Sequence, residues 1–176
     1  MNAHKFILLF LLVSLLAGGC SVSPSSHEWM QKSGKGDELF AAGDADGAVN
    51  MWKEALAYRR NTELYEKIIM AQIVKNDLDQ AEKWTVEGLT YFPNNVNLLF
   101  NNALVKFHKR DFTGAADGLN KVLDANGYYP NAHFLKGLIY EEQGDKTSAR
   151  KEFVDEVNIN PGSKAAWQKL RGLTND

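Results

Sequence analysis

A dipeptide ending in aspartate occurs four times in this chain, and an alanine follows each aspartate four residues later. The dipeptides are Gly43-Asp44, Asn76-Asp77, Arg110-Asp111 and Gly144-Asp145, and the alanines are Ala48, Ala81, Ala115 and Ala149. Successive dipeptides are separated by 33, 34 and 34 residues. A period near 34 that combines a turn with a helical pattern predicts an array of stacked helical pairs.

Apolar residues recur at helical intervals on both sides of each turn. We expect helices at about 45–60, 62–75, 78–91, 95–108, 112–126, 131–142, 147–159 and 164–173. The helix before residue 43 is the least defined, because Gly34 and Gly36 lower helix propensity there. This first helix either frays or starts late. Gly127 is a candidate left-handed cap after the third pair.

Packing also follows from the pattern, since a small alanine lets the two helices of a pair approach closely. Large residues about one turn later fill the space towards the next pair; these are Trp52, Trp84, Leu119 and Phe153. A single pair cannot bury its apolar face, so stacking is required for stability.

The fourth repeat resembles a tetratricopeptide repeat along most of its length. It carries Gly137, Tyr140, Gly144-Asp145, Ala149, Phe153 and Pro161. The resemblance implies an all-α, right-handed superhelical array of about four repeats, at about 29–61, 62–95, 96–129 and 130–163. A capping helix and tail would follow at 164–176, and the first helix of each pair would line a concave groove.

The N-terminal segment has the features of an export signal. Residues 1–19 contain His4 and Lys5 near their start, followed by an apolar core that is too short to span a bilayer. The alternative is an uncleaved anchor helix. Leu16-Ala17-Gly18-Gly19-Cys20 resembles a bacterial lipobox, which implies cleavage before Cys20 and lipid attachment to it. Residues 20–28 are then expected to form a flexible tether.

The residue after the cysteine is Ser21 rather than aspartate, which resembles Gram-negative lipoproteins that are sorted to the outer membrane. The expected location is therefore the bacterial cell envelope, at the outer membrane and facing the periplasm.

Several classes of function lack sequence support. The net charge of −2 gives no basic surplus for nucleic acid binding, and the single cysteine excludes internal disulfides. No His-Glu-x-x-His, Gly-x-Ser-x-Gly or phosphate-loop motif is present in the sequence. Asp44 to Gly47 superficially resembles a calcium loop, but Ala42 and Lys53 stand where the first and last ligands belong. We therefore predict no metal, no cofactor and no enzymatic activity.

The groove remains as the candidate site. In the tetratricopeptide register, the candidate groove residues are the apolar Met70, Ile73, Phe100, Leu104, Phe107, Phe134 and Leu138, together with His108. For each apolar member the alternative is packing between helices. As a set they would suit an amphipathic helix or an extended apolar segment of another protein.

The resemblance implies a non-enzymatic protein–protein adaptor that a lipid anchors to the envelope. Lipoproteins of this build are similar to the pilotins of type IV pili and to the repeat lipoprotein of tight-adherence (Flp) pili, so a secretin or a pilus component is the expected partner. One alternative is a scaffold for peptidoglycan-remodelling enzymes, and another is an enzyme subunit or ligand-binding lipoprotein. The oligomeric state is left open.

Overall fold

The computed structural model describes residues 24–173, with side chains from His27 onward, and these residues form helices joined by short turns. In chain order the helices are α1 Pro24–Ala41, α2 Ala45–Tyr58, α3 Thr62–Val74, α4 Leu78–Tyr91, α5 Val96–His108, α6 Phe112–Ala125, α7 Ala132–Glu142, α8 Lys146–Ile159 and α9 Lys164–Leu173. Consecutive helices pack in antiparallel pairs, and the pairs stack into a right-handed superhelix that α9 closes. The predicted all-α array of four repeats is confirmed. Within residues 24–173, no helix is both long enough and apolar enough to cross a membrane.

Helix α1 differs from the sequence prediction, because it begins at Pro24 and continues without interruption through both glycines. Residues 24–28, which we expected to belong to the tether, are therefore helical. Proline is favoured at the start of a helix, where its missing N–H has no partner to lose. Gly36 is required by packing: a Cβ there would lie 2.4 Å from Nε1 of Trp52 in α2.

Each repeated dipeptide performs two tasks at the turn within a pair. Its first residue has the left-handed backbone that ends the preceding helix, with φ of 86° at Gly43, 58° at Asn76, 62° at Arg110 and 78° at Gly144. Its aspartate then caps the next helix by accepting a hydrogen bond from the backbone N–H three residues later, at 2.9 Å for Asp44 and Asp111 and 3.0 Å for Asp145. The period seen in the sequence is therefore a repeated stop-and-start signal.

Side-chain volume is balanced between the two helices of each pair. The buried position in the middle of the first helix holds Gly36, Ile69, Ala103 or Gly137, and the facing position in the second holds Trp52, Thr85, Leu119 or Phe153. Gly36, the smallest residue, lies against the largest ring, that of Trp52. In the register of the repeat, the bulky Ile69 is matched with the small Thr85. We expected Trp84 in this role, but Thr85 is the fully buried residue, and Trp84 instead packs at the margin of the core, with its ring 6.2 Å from that of Tyr65.

The core runs through the array as three neighbouring clusters. The first joins α2 to α5 and includes Tyr65 and Ile68, and Trp29 of α1 packs against it. The second joins α5, α6 and α7, and the third joins α8 and α9, with residues of α7 in contact. Residues of α5 belong to both of the first two clusters, so the repeats are coupled rather than independent.

The turn between α6 and α7 is built differently from our expectation. Gly127 is not left-handed; the left-handed residue is Asn131, with φ of 64°, and its side chain makes no capping hydrogen bond. The buried carboxylate of Glu156 in α8 caps α7 instead, accepting from the backbone N–H of Asn131 at 3.2 Å and of Phe134 at 3.3 Å.

Candidate functional site

The repeat register assigns the first helices of the pairs, α1, α3, α5 and α7, to the concave face, and the predicted groove residues belong to α3, α5 and α7 and are buried to different degrees. Met70 is 40% exposed, and His108 is exposed as well. The other six predicted residues are half-buried and pack against the core clusters with part of each side chain accessible: Ile73, Phe100, Leu104, Phe107, Phe134 and Leu138. Each of these six side chains therefore packs against the core and also exposes part of its apolar surface.

A depression of about 450 Å³ opens between α1 and α3 at the N-terminal end of the groove. Phe40, Trp52 and Met70 form its apolar part. Its charged lining residues are Asp37, Glu63, Glu66 and Lys67. An apolar floor with a charged rim suits a bulky apolar side chain that carries a polar or cationic neighbour.

Ion pairs organise the rim of this N-terminal depression. Nζ of Lys67 lies 2.9 Å from Asp37 and 2.8 Å from Glu63. Burial lowers the pKa of Lys67, but hydrogen bonds from the ammonium to Glu63 and Asp37 outweigh burial and raise the pKa above its ordinary value. Lys67 therefore stays charged and neutralises two of the three carboxylates.

Glu66 is the third carboxylate, and its partner is neutral. Asn97 in α5 donates a hydrogen bond from Nδ2 to Glu66 at 3.1 Å, and Tyr129 donates from its hydroxyl to Oδ1 of Asn97 at 3.0 Å. Burial raises the pKa of the Glu66 carboxyl, the Asn97 hydrogen bond opposes this rise, and the charge of Glu63 adds to it. Burial also raises the pKa of Tyr129, and the charge of Glu66 adds to that effect.

The C-terminal half of the groove is more apolar. The ring of Phe107 lies 5.8 Å from that of Phe112, and the ring of Phe134 lies 5.6 Å from that of Phe153. A second open depression, of about 530 Å³, lies between α7 and α9, with Phe134 and Leu173 in its lining and Lys169 paired with Glu141 at its edge. The two depressions mark the ends of the concave face.

One cluster between α7 and α8 combines histidine with carboxylates. His133, Glu152 and Asp155 bring potential metal-ligand atoms within 4.8 Å of one another. However, Nδ1 of His133 already lies 2.7 Å from Glu152, and Nζ of Lys136 lies 3.0 Å from the other oxygen of the same carboxylate. The ammonium group of Lys136 therefore neutralises the buried carboxylate of Glu152, and the cluster is explained as an ion-pair network between α7 and α8.

Three residues that shape the site escape prediction from the sequence. Tyr129 falls in a predicted loop, yet its ring lies 5.1 Å from that of Phe100 on the concave side. Glu152 and Glu156 are not among the residues that the sequence singles out, although both are buried. The sequence does contain a signal for Glu156: this repeat has a carboxylate where the other repeats have the small or apolar residues Ala55, Gly88 and Val122. The lipidation site predicted at Cys20 lies outside the described residues.

Comparison with known sequences supports the repeat assignment. Residues 88–164 match a tetratricopeptide repeat family, which covers the second half of the array. A 95-residue stretch is 30% identical to sperm-associated antigen 1 of Rattus norvegicus. That match covers 54% of this chain but only 11% of the much longer relative.

Solved structures of other proteins share the architecture. MamA superimposes with a TM-score of 0.69 at 21% identity, covering 85% of this chain and 82% of MamA. YrrB, described as a tetratricopeptide repeat protein with an unusual peptide-binding site, gives 0.68 at 14% identity, covering 83% and 76%. A thermophilic tetratricopeptide repeat protein of Thermus thermophilus gives 0.70 at 16% identity, covering 84% and 81%. At these identities the similarity concerns the fold, and the described part of this chain has the fold of a tetratricopeptide repeat protein.

Proposed function

We propose that this chain is a non-enzymatic adaptor whose concave groove binds a segment of another protein. The observation that carries this proposal is the continuous row of partly exposed apolar side chains along α3, α5 and α7, with an open depression at each end. An amphipathic helix or extended segment would bury these side chains further. Such burial is the main source of affinity in helix-in-groove binding.

YrrB has the same fold and an unusual peptide-binding site, which supports this use of the groove by analogy. We extend the proposal to location: Cys20 carries the lipid anchor, and the domain works in the bacterial envelope at the outer membrane. We also propose that the partner belongs to a pilus or secretion complex, with a secretin or a pilus component as the protein bound. The anchor and the location rest on the lipobox-like Leu16 to Cys20 and on Ser21, and the class of partner rests on the resemblance to pilus-associated lipoproteins.

The anchor is tested with Cys20→Ala. Because the sequence contains no other cysteine, this change removes the one site that can carry the thioether-linked lipid. We expect the variant protein to leave the membrane fraction while keeping the circular dichroism spectrum of a helical domain. Retention of the variant in washed membranes would refute lipid anchoring.

The partner is tested by crosslinking in intact cells, followed by detergent pull-down and mass spectrometry. Met70→Glu places a charge on the most exposed apolar residue of the groove, and Val86→Glu is the matched control on the outer helix α4, where Val86 is 57% exposed. Recovery of a secretin or pilus component with the wild type and Val86→Glu, but not with Met70→Glu, is the expected result. Recovery of cell-wall hydrolases or synthases instead would favour the peptidoglycan scaffold.

A further inference from the structure

Three aromatic rings, each with a cationic side chain over it, gather at one corner of the array. Cζ of Arg59 lies 5.2 Å from the centre of the Trp29 ring, Cζ of Arg60 lies 4.3 Å from that of Tyr91, and Nζ of Lys32 lies 5.9 Å from that of Tyr58. We call Trp29, Lys32, Tyr58, Arg59, Arg60 and Tyr91 the aromatic corner. It joins the N-terminal part of α1 to the C-terminal ends of α2 and α4.

The aromatic corner is both anchored and accessible. Trp29 is half-buried and packs against the first core cluster, which fixes the corner to the domain. Tyr58 and Tyr91 are 45% and 47% exposed, and neighbouring Met30 is 49% exposed. Neighbouring exposed apolar side chains of this kind are typical of an interaction surface.

Carboxylates lie close to two of the three cations of the corner. Nζ of Lys32 lies 2.5 Å from Glu54, and the charge of Glu28 also raises the pKa of Lys32. Arg59 lies over the ring of Trp29. Arg60 lies over the ring of Tyr91 and also interacts with the hydroxyl of Tyr65, which donates a hydrogen bond to Glu87 at 3.0 Å. These two guanidinium groups supply the positive charge that the corner can offer to a phosphate.

The position of the corner along the chain identifies what covers it. Helix α1 begins at Pro24, four residues after Cys20. Four extended residues reach at most about 14 Å, and the helix from Pro24 to Trp29 adds about 7 Å. The chain that connects the aromatic corner to the proposed lipid is therefore short, and it holds the corner close to the membrane surface.

We propose that the aromatic corner rests on the bilayer surface, with the rings of Tyr58 and Tyr91 at headgroup level and Arg59 and Arg60 against lipid phosphates. Tyrosine and tryptophan concentrate at membrane interfaces because one end of each ring is apolar and the other is polar. The proposal rests on the lipid anchor at Cys20 and is independent of the groove. A second contact beside the tether fixes the orientation of the domain, and with it the direction in which the groove opens.

Site-directed spin labelling of the full-length lipoprotein tests this orientation. In the lipidated protein the sulfur of Cys20 is occupied, so a nitroxide reacts only with an introduced cysteine. Tyr58→Cys and Tyr91→Cys place labels in the corner, and Trp167→Cys places a control at the far end of the array, where Trp167 is 46% exposed. Each protein is reconstituted into vesicles of phosphatidylethanolamine and phosphatidylglycerol, and its collision rates with oxygen and with a nickel chelate are measured.

We expect the oxygen-to-nickel accessibility ratio to be several-fold higher at positions 58 and 91 than at position 167. Combining Arg59→Glu with Arg60→Glu should bring the ratio at position 91 close to that of the control, while circular dichroism remains unchanged. Water-like ratios at all three positions, with protein that still floats with the vesicles, would overturn the corner proposal and leave the anchor intact.

Two further outcomes also contradict the proposal. If corner labels are immobilised but show no increase in oxygen access, the corner is a protein interface rather than a lipid-facing one. If the protein does not float with the vesicles at all, the lipid anchor is wrong, and the membrane orientation falls with it.

Discussion

The buried carboxylate of Glu156 in α8 accepts a hydrogen bond from the backbone N–H of Asn131 at 3.2 Å, across the boundary between two helices. Asn131 provides no side-chain cap of its own, so Glu156 substitutes for the capping residue of α7 and also accepts from the N–H of Phe134. A negative charge at this position also complements the positive end of the helix dipole. This contact ties α8 to the start of the last groove helix.

Replacing Glu156 with alanine should lower the free energy of unfolding by about 2 kcal/mol, because two partly buried N–H donors lose a charged acceptor. Glu156→Gln should cost less, since its amide oxygen can still accept one of the two hydrogen bonds. Urea unfolding followed by circular dichroism gives both values. Equal stability of the wild type and Glu156→Ala would show that the α7 cap is unimportant.

The balance of volume between facing helices gives a second prediction. A Cβ on Gly137 would lie 2.4 Å from the ring of Phe153, so Gly137→Ala should destabilise by about 1–3 kcal/mol. The third repeat already uses Ala103 with Leu119 at the corresponding positions. Adding Phe153→Leu to Gly137→Ala should therefore cost less than the sum of the single changes. A double-mutant cycle measures this coupling, and strict additivity would refute the pairing.

The left-handed turn residues give a third prediction with opposite signs at matched sites. Arg110 has φ of 62°, a backbone that glycine adopts without strain, so Arg110→Gly should stabilise the domain by about 1 kcal/mol. The ion pair of Arg110 with Glu142 is lost, but an exposed pair contributes little. Gly144→Ala should destabilise by about 1 kcal/mol, although nothing lies within 4 Å of the added Cβ.

Thermal and urea unfolding of both turn variants decide the point. Because the space around Gly144 is open, a loss of stability in Gly144→Ala can only come from the backbone. Destabilisation by Arg110→Gly would mean that the side-chain contacts of Arg110 outweigh its backbone strain.

The half-buried Glu66 predicts a dependence of stability on pH. Burial raises the pKa of this carboxyl, so the folded protein binds the proton more tightly than the unfolded chain does. The stability that this group contributes is thus present in acid and is lost as the pH rises through the raised pKa. Glu66→Gln should melt at a higher temperature than the wild type near neutral pH, and the difference should disappear below about pH 4.

Glu63→Gln is the matched control for Glu66, because Glu63 lies on the same helix but forms an exposed ion pair with Lys67. Its effect on melting temperature should be small at all pH values. A stabilisation of Glu63→Gln equal to that of Glu66→Gln would point to overall charge rather than burial as the cause.

The repeat period predicted the fold because each Asp dipeptide contains the whole turn signal: a left-handed residue followed by a capping side chain. A turn signal of this kind depends only on residues that are adjacent in the sequence, so it can be predicted without knowing the tertiary contacts. Thr85 and Tyr129 were harder to assign, since their roles depend on what stands opposite them in another helix. Gly34 and Gly36 misled the prediction of α1 because helix propensity is a local property, whereas the ring of Trp52 selects glycine at position 36 through tertiary contact. The register predicts which side chains face the groove, but the depth at which each one lies is set by neighbouring repeats.

The most direct test of the adaptor proposal is photo-crosslinking in intact cells from a benzoylphenylalanine placed at position 70 or at position 86. Met70 lies on the concave face and Val86 on the outer helix α4, and both are exposed. The proposal predicts a discrete crosslinked band from position 70 that contains a secretin or pilus component, and no such band from position 86. Equal crosslinking from both positions, or crosslinking from position 86 alone, would contradict the assignment of the groove as the binding site.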